Sequence, residues 1–121
     1  MKNTFETIDR DRLRGWMNNK KDFVLIDVLG SKSYEDKHLP GAINIPSDTK
    51  SFIKEVEKVV LEKNALVVVY CSSFDCQASP KAADKLAKTG YVNVYDFDGG
   101  LADWSDAGFP FERQGQLVYL A

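Results

Sequence analysis

A chain of 121 residues, 44% of them hydrophobic, has room for one ordinary core and not for two. Sixteen basic residues against eighteen acidic ones leave a net charge of −2, which excludes the basic surface that nucleic acid or an anionic membrane requires. No stretch approaches the roughly 18 apolar residues of a spanning helix, and Met1 to Glu6 carry no apolar secretion segment, so a cytoplasmic setting is expected.

Thr4 to Ile8 alternates weakly and predicts a short edge strand. Asp9 can cap a helix carrying Leu13, Trp16 and Met17 on one face and ending near Asn18 and Asn19. Phe23-Val24-Leu25-Ile26 is a continuous apolar run closed by Asp27, the pattern of a strand buried on both faces. Ser31 to Asp36 predicts a short helix, after which Leu39-Pro40-Gly41 turns the chain into a short strand, Ala42 to Ile45, stopped by Pro46. A longer helix is predicted from Ser47 or Asp48 to about Glu62. Its apolar stripe is Phe52, Ile53, Val56, Val59 and Val60, and Lys50, Lys54, Glu57 and Lys58 face solvent.

The strand from Ala65 to Tyr70 runs straight into Cys71-Ser72-Ser73-Phe74-Asp75-Cys76, so a cysteine stands where a buried strand stops. In an open parallel sheet that is the end at which loop amides and helix N-termini converge, which makes Cys71 a candidate nucleophile. Ser79 and Pro80 are expected as N-cap and first residue of the next helix, Ala82, Ala83, Leu86 and Ala87 as its inner face, and Gly90 as its stop. Tyr91 to Tyr95 predicts another strand, leading through Asp96-Phe97-Asp98 into Gly99-Gly100 and a last helix from Leu101 to Ala107. The tail from Phe109 is too short for a further domain. Strands alternating with helices demand a parallel sheet of about five strands with helices on both faces. With one histidine and two cysteines no four-ligand Cys/His zinc site can form within one chain; neither a metal nor another cofactor is expected.

Four segments, in this order and spacing, together resemble the rhodanese-like domain. They are Leu25-Ile26-Asp27-Val28, His38-Leu39-Pro40-Gly41-Ala42-Ile43-Asn44-Ile45-Pro46, Val68-Val69-Tyr70-Cys71, and Gly90-Tyr91-Val92-Asn93-Val94-Tyr95 running into Gly99-Gly100 and Trp104. The resemblance covers residues 4 to 112 and implies one rhodanese-like domain over 1–121 with a short C-terminal tail. It also implies a sulfur carrier, in which Cys71 attacks a small sulfur donor such as thiosulfate. The cysteine then holds a persulfide and passes sulfur to a thiol, to cyanide or to a protein acceptor. The loop Ser72, Ser73, Phe74, Asp75, Cys76, Gln77, Ala78 and Ser79 becomes an anion cradle whose amides favour thiolate and persulfide and lower the Cys71 pKa. Asp27 and His38 take supporting roles, Asp27 at the loop base and His38 in a turn.

Departures from the family pattern cluster in that loop. Single-domain members carry an arginine five residues after the cysteine, where this chain has Cys76; aligned on the Ala82-Ala83 pair, the position is Ala78 instead. Neither side chain replaces a bidentate guanidinium on a dianionic donor, so weak thiosulfate turnover is expected. The phosphatase-like relatives need an arginine where Gln77 stands, and only Lys81 offers a partial substitute. Leu29 and Ser33 replace an arginine and a glutamate that support the segment after Asp27, and Lys37 replaces a glycine. Cys76 is either a small apolar filler or a resolving thiol that attacks the Cys71 persulfide. Phe74 is placed at the pocket mouth. The competing function is a binding or redox-sensing module that toggles a Cys71/Cys76 dithiol and disulfide without turnover.

Overall fold

The computed structural model describes residues 4–120. Five strands, β1 (Glu6–Thr7), β2 (Val24–Asp27), β3 (Ile43–Asn44), β4 (Leu66–Tyr70) and β5 (Asn93–Phe97), form one sheet in the order β1-β5-β4-β2-β3, every pairing parallel. Between them run α1 (Arg10–Asn18), α2 (Ser31–Asp36), α3 (Phe52–Val59) and α4 (Ala78–Lys88), and α5 (Gly100–Asp106) follows β5. The expected α/β architecture is therefore present, with Asp9 accepting from the Arg12 amide as the cap of α1.

β4 lies at the centre and is buried on both faces. Val67 and Val69 join Ile26, Val94, Phe52, Val56, Ala82, Ala83 and Leu86 in the core beneath α3 and α4. Val68 and Tyr70 point the other way, into the core formed with Leu13 of α1 and Trp104 of α5. This alternation delivers Cys71, 1% exposed, to the α4 side of the sheet.

Several boundaries differ from the sequence reading, each for a local reason. α3 is shorter than predicted because Phe52, Val56 and Val60 fill the core at four-residue spacing, after which the chain leaves the helix at Val60. That line leaves Val59 half exposed rather than in the inward stripe. α4 begins at Ala78, with Gln77 at the N-cap position, so Ser79 is not the cap but a buried residue of the first turn. Pro80 in that turn costs no intrahelical hydrogen bond. β5 starts later than predicted and continues to Phe97, because Val94 to Phe97 pair with Val67 to Tyr70, while Tyr91 is anchored by its hydroxyl on the Val60 carbonyl at 2.6 Å.

The segment read as a tail folds into a hairpin of β6 (Phe111–Arg113) and β7 (Gln116–Val118). Its turn residues Gln114 and Gly115 have φ of 51° and 79°, the signs of a two-residue hairpin turn. Gln-Gly is not among the pairs that announce such a turn in a sequence, so the hairpin escaped the periodicity. It is tied to the main sheet side by reciprocal backbone hydrogen bonds between Glu112 and His38, at 3.1 and 2.8 Å.

Candidate active site

The loop after β4 is shaped by α5. Gly100 has φ of +61°, and a Cβ there would strike the Cys71 carbonyl and the Ser72 backbone, so only glycine allows the approach. The Leu101 and Ala102 amides then donate to the Cys71 and Ser72 carbonyls at 3.1 and 2.9 Å. Because a trans peptide points its C=O and N–H in opposite directions, the Ser72 and Ser73 amides are turned away from α5, into the loop. Gly100 thus lets α5 curl the loop backbone into a concavity with those amides on its inner side.

Two thiols share that concavity, and both are free. Cys71 Sγ receives the Ser79 amide at 3.4 Å and is hydrogen-bonded to Ser79 Oγ at 3.2 Å and to the Cys76 carbonyl at 3.7 Å. Burial, and the neighbouring Cys76, push the Cys71 thiol up to about 11 against the lowering effect of Ser79. The lowered Cys71 pKa implied by the family resemblance is thus not met in this state. For Cys76, burial also opposes charge, but hydrogen bonds from the Cys71 thiol, the Ser72 and Ala78 amides and the Ser72 hydroxyl outweigh it and lower the pKa. Of the two thiols, Cys71 is the one raised and Cys76 the one lowered.

The rest of the loop is unevenly placed. Phe74 is 64% exposed at its tip, and Ser73, with its carbonyl accepting from the Cys76 amide at 3.0 Å, closes the turn beneath it. Gln77 and Ala78 border a groove of about 320 Å³ that also includes Lys81 and Lys85, while Ser72 borders another beside Lys37 and Leu101. Lys81 is exposed and stands on that groove rim, so it offers no substitute for an arginine within the cradle.

Asp27 and His38 act on scaffold. Asp27 is fully buried and accepts from the Leu29 amide at 2.9 Å and the Tyr70 hydroxyl at 2.8 Å; that hydroxyl in turn accepts from the Leu39 amide at 3.0 Å. Burial raises the Asp27 pKa despite these bonds. His38 stacks on Tyr34 at 3.7 Å, bonds to the Tyr34 carbonyl through Nδ1 at 2.8 Å, and sets Nε2 3.3 Å from Glu112 Oε1. A cavity of about 620 Å³ opens on this His38, Tyr34 and Glu112 cluster and is not lined by either cysteine.

Two residues of the site were missed in the sequence. Tyr70 was read only as strand, although it links Asp27 to the Leu39 turn. Asp96 is 1% exposed on β5, and its Oδ1 has no hydrogen-bond partner among the described residues. Burial lifts its pKa to about 6, against the Ser79 side chain, which favours the carboxylate. A signal existed: Asp96 has the parity of Val94, whose side chain enters the core.

Comparison with known proteins agrees with the fold. The rhodanese-like domain family matches residues 9–107. The chain is 36% identical over 114 residues to the adenylyltransferase and sulfurtransferase UBA4 of Candida albicans, covering 85% of this chain and 25% of that protein. It is 31% identical over 97 residues to the uncharacterized protein YibN of Escherichia coli K12, covering 78% of this chain and 64% of that one. Among solved structures, the rhodanese-like domain of the Anabaena protein Alr3790 superposes with a TM-score of 0.76 at 26% identity, covering 88% of this chain and 78% of that one. This chain belongs to the rhodanese-like domain family. It spans from about a quarter to about two thirds of the length of these curated relatives. Among its described residues, no helix is long and apolar enough to cross a membrane.

Proposed function

We propose that residues 1–121 act as one rhodanese-like sulfurtransferase domain in a reducing, cytoplasmic setting, with Cys71 as the sulfur-carrying nucleophile. The observation that carries this reading is Cys71 at the end of the central strand, with the Ser79 amide and hydroxyl on its sulfur. The Cys71 thiolate attacks the outer sulfur of thiosulfate, the S–S bond breaks, sulfite leaves with the bonding pair, and a persulfide anion remains. Cyanide or a thiol then takes the outer sulfur and returns the thiolate. The name of the UBA4 relative, an adenylyltransferase and sulfurtransferase, supports sulfur transfer and leaves room for a protein acceptor.

A second reading is favoured by the seating of Cys71 against Cys76, with Cys71 Sγ 3.7 Å from the Cys76 carbonyl. The Cys76 thiolate attacks Cys71 Sγ of the persulfide, the outer sulfur leaves and picks up a proton as hydrosulfide, and a Cys71–Cys76 disulfide forms. A reductant is then needed to reset the pair.

Intact mass after treating the reduced protein with thiosulfate or a persulfide donor separates the readings. Sulfur transfer gains about 32 Da, the mass of one sulfur on a thiolate, lost in Cys71→Ser and accumulating in Cys76→Ser. Cyanide-dependent thiocyanate should be slow with thiosulfate and faster in Cys76→Arg, which restores a guanidinium for the dianion. No adduct with any donor, together with loss of two hydrogens on mild oxidation, would establish the redox module instead.

A further inference from the structure

His38, the one histidine of the chain, is 8% exposed where the β6–β7 hairpin meets the main body. Its Nδ1 lies 2.8 Å from the Tyr34 carbonyl oxygen, which can only accept, so Nδ1 carries a proton. In a neutral ring Nε2 then presents a bare lone pair, and it faces Glu112 Oε1 at 3.3 Å. That carboxylate oxygen also accepts from the Gly41 amide at 3.1 Å, so two lone pairs would meet. Only the imidazolium, donating through both nitrogens, satisfies every group around it. The stack on Tyr34, with centroids 3.7 Å apart and planes 7° from parallel, holds the ring in the plane where both oxygens are met.

We infer that His38 is a proton-operated latch for the hairpin: charged, it clamps Glu112 and seats the Gln114-Gly115 turn beside α2; neutral, it frees Glu112 and lets that turn lift. The cavity of about 620 Å³ is lined both by Tyr34 and Glu35 of α2 and by Gln114 and Gly115 of the turn, so the latch sets its width. The only covalent change is one proton, passed from Nε2 to solvent as pH rises. Phe111 in the core and Arg113 on the Asp36 carbonyl, at 2.6 Å, keep the hairpin on the domain in both states. Its seating changes, not its attachment. The acidic groups around the ring are Glu112 from β6, Glu35 on the cavity wall, and Asp27 at the end of β2, which the ring reaches electrostatically. The phenols are committed, Tyr34 to the Ala42 carbonyl and Tyr70 of β4 to Asp27. Lys37 lies over the Phe111 ring at 5.6 Å. Cys71 does not line the cavity, so the latch stands apart from sulfur transfer.

Amide exchange and NMR of the ring nitrogens, on the intact chain and without any sulfur donor, test the latch. Between about pH 5 and pH 8, the span in which a histidine changes charge, the protection factors of the Gly41 and Glu112 amides should fall. The fall should exceed that of the Val28 amide by about tenfold, the scale of one lost hydrogen bond to a charged group. Val28 donates to the Tyr70 carbonyl at 3.1 Å and reports the stability of the whole fold. With one histidine in the chain, the ring signals need no assignment, and loss of the Nε2 proton should share its midpoint with the loss of protection. Glu112→Gln should remove the pH dependence, because an amide offers the neutral ring a donor while its oxygen still accepts from Gly41. A fall in step with Val28, a midpoint apart from that of the Nε2 proton, or a pH dependence that persists in Glu112→Gln overturns the inference. The first two outcomes are read on the unsubstituted protein, so they decide even where Glu112→Gln does not fold.

Discussion

The tyrosine that ends β4 does more for this site than its place in an apolar run suggests. Its hydroxyl donates to Asp27 and accepts from the Leu39 amide, so one buried atom satisfies both a carboxylate and a backbone donor. Tyr70→Phe would strand the Leu39 amide and Asp27 Oδ2 and should cost about 2–6 kcal/mol, since each stranded buried group costs about 1–3 kcal/mol; urea denaturation at pH 7 measures it. The Cys71 position, the Asp27 support and the Gly99-Gly100 turn were legible because each combines a residue type with a place at a strand end. Tyr70 and Asp96 were not, because their roles depend on cross-strand partners that only register brings together. The state of Cys71 also differs from what its loop leads one to expect: Ser79 lowers its pKa, but burial and a second thiol in the same cradle outweigh it.

Among the elements, α5 grips the loop directly, through Gly100, Leu101 and Ala102. Gly100→Ala places a methyl against the Cys71 carbonyl and forces φ of +61° on a residue with a Cβ. It should destabilise the fold by more than about 2 kcal/mol, combining left-handed strain of roughly 1–2 kcal/mol with a clash, and lower Cys71 reactivity even where the protein stays folded. Thermal melting and the iodoacetamide rate of Cys71 report the two effects separately. The parallel strands and α1, α2 and α4 were readable from apolar runs and caps, with boundary shifts where core contacts overrode local signals. The hairpin β6–β7 was not, because its stability comes from Phe111 in the core and the Glu112–His38 bonds rather than from its own pattern.

Across the whole molecule, buried carboxyls set the pH response. Asp96 has a folded pKa of about 6 against an ordinary 3.8, and Asp27 is shifted in the same direction. A raised carboxyl pKa means the folded state binds its proton more tightly than the unfolded one. The resulting stability is complete below about 3.8 and is lost as pH rises through about 6. Asp96→Asn should therefore stabilise the protein by roughly 1–3 kcal/mol at pH 7.5, with the gain shrinking toward zero near pH 4; denaturation at both pH values checks it. A gain of equal size at both would show that ionisation is not its source.

The carbonyls of Cys71 and Ser72 are already occupied by α5, and this has a consequence for how the domain can diversify. Part of the cradle is made of peptide groups that every amino acid possesses, and that part survives replacement of the side chains around the loop tip. Phe74, which stands 64% exposed there, can be exchanged without disturbing those peptide groups. Single substitutions at the loop tip can therefore change what the loop contacts while its backbone stays as it is.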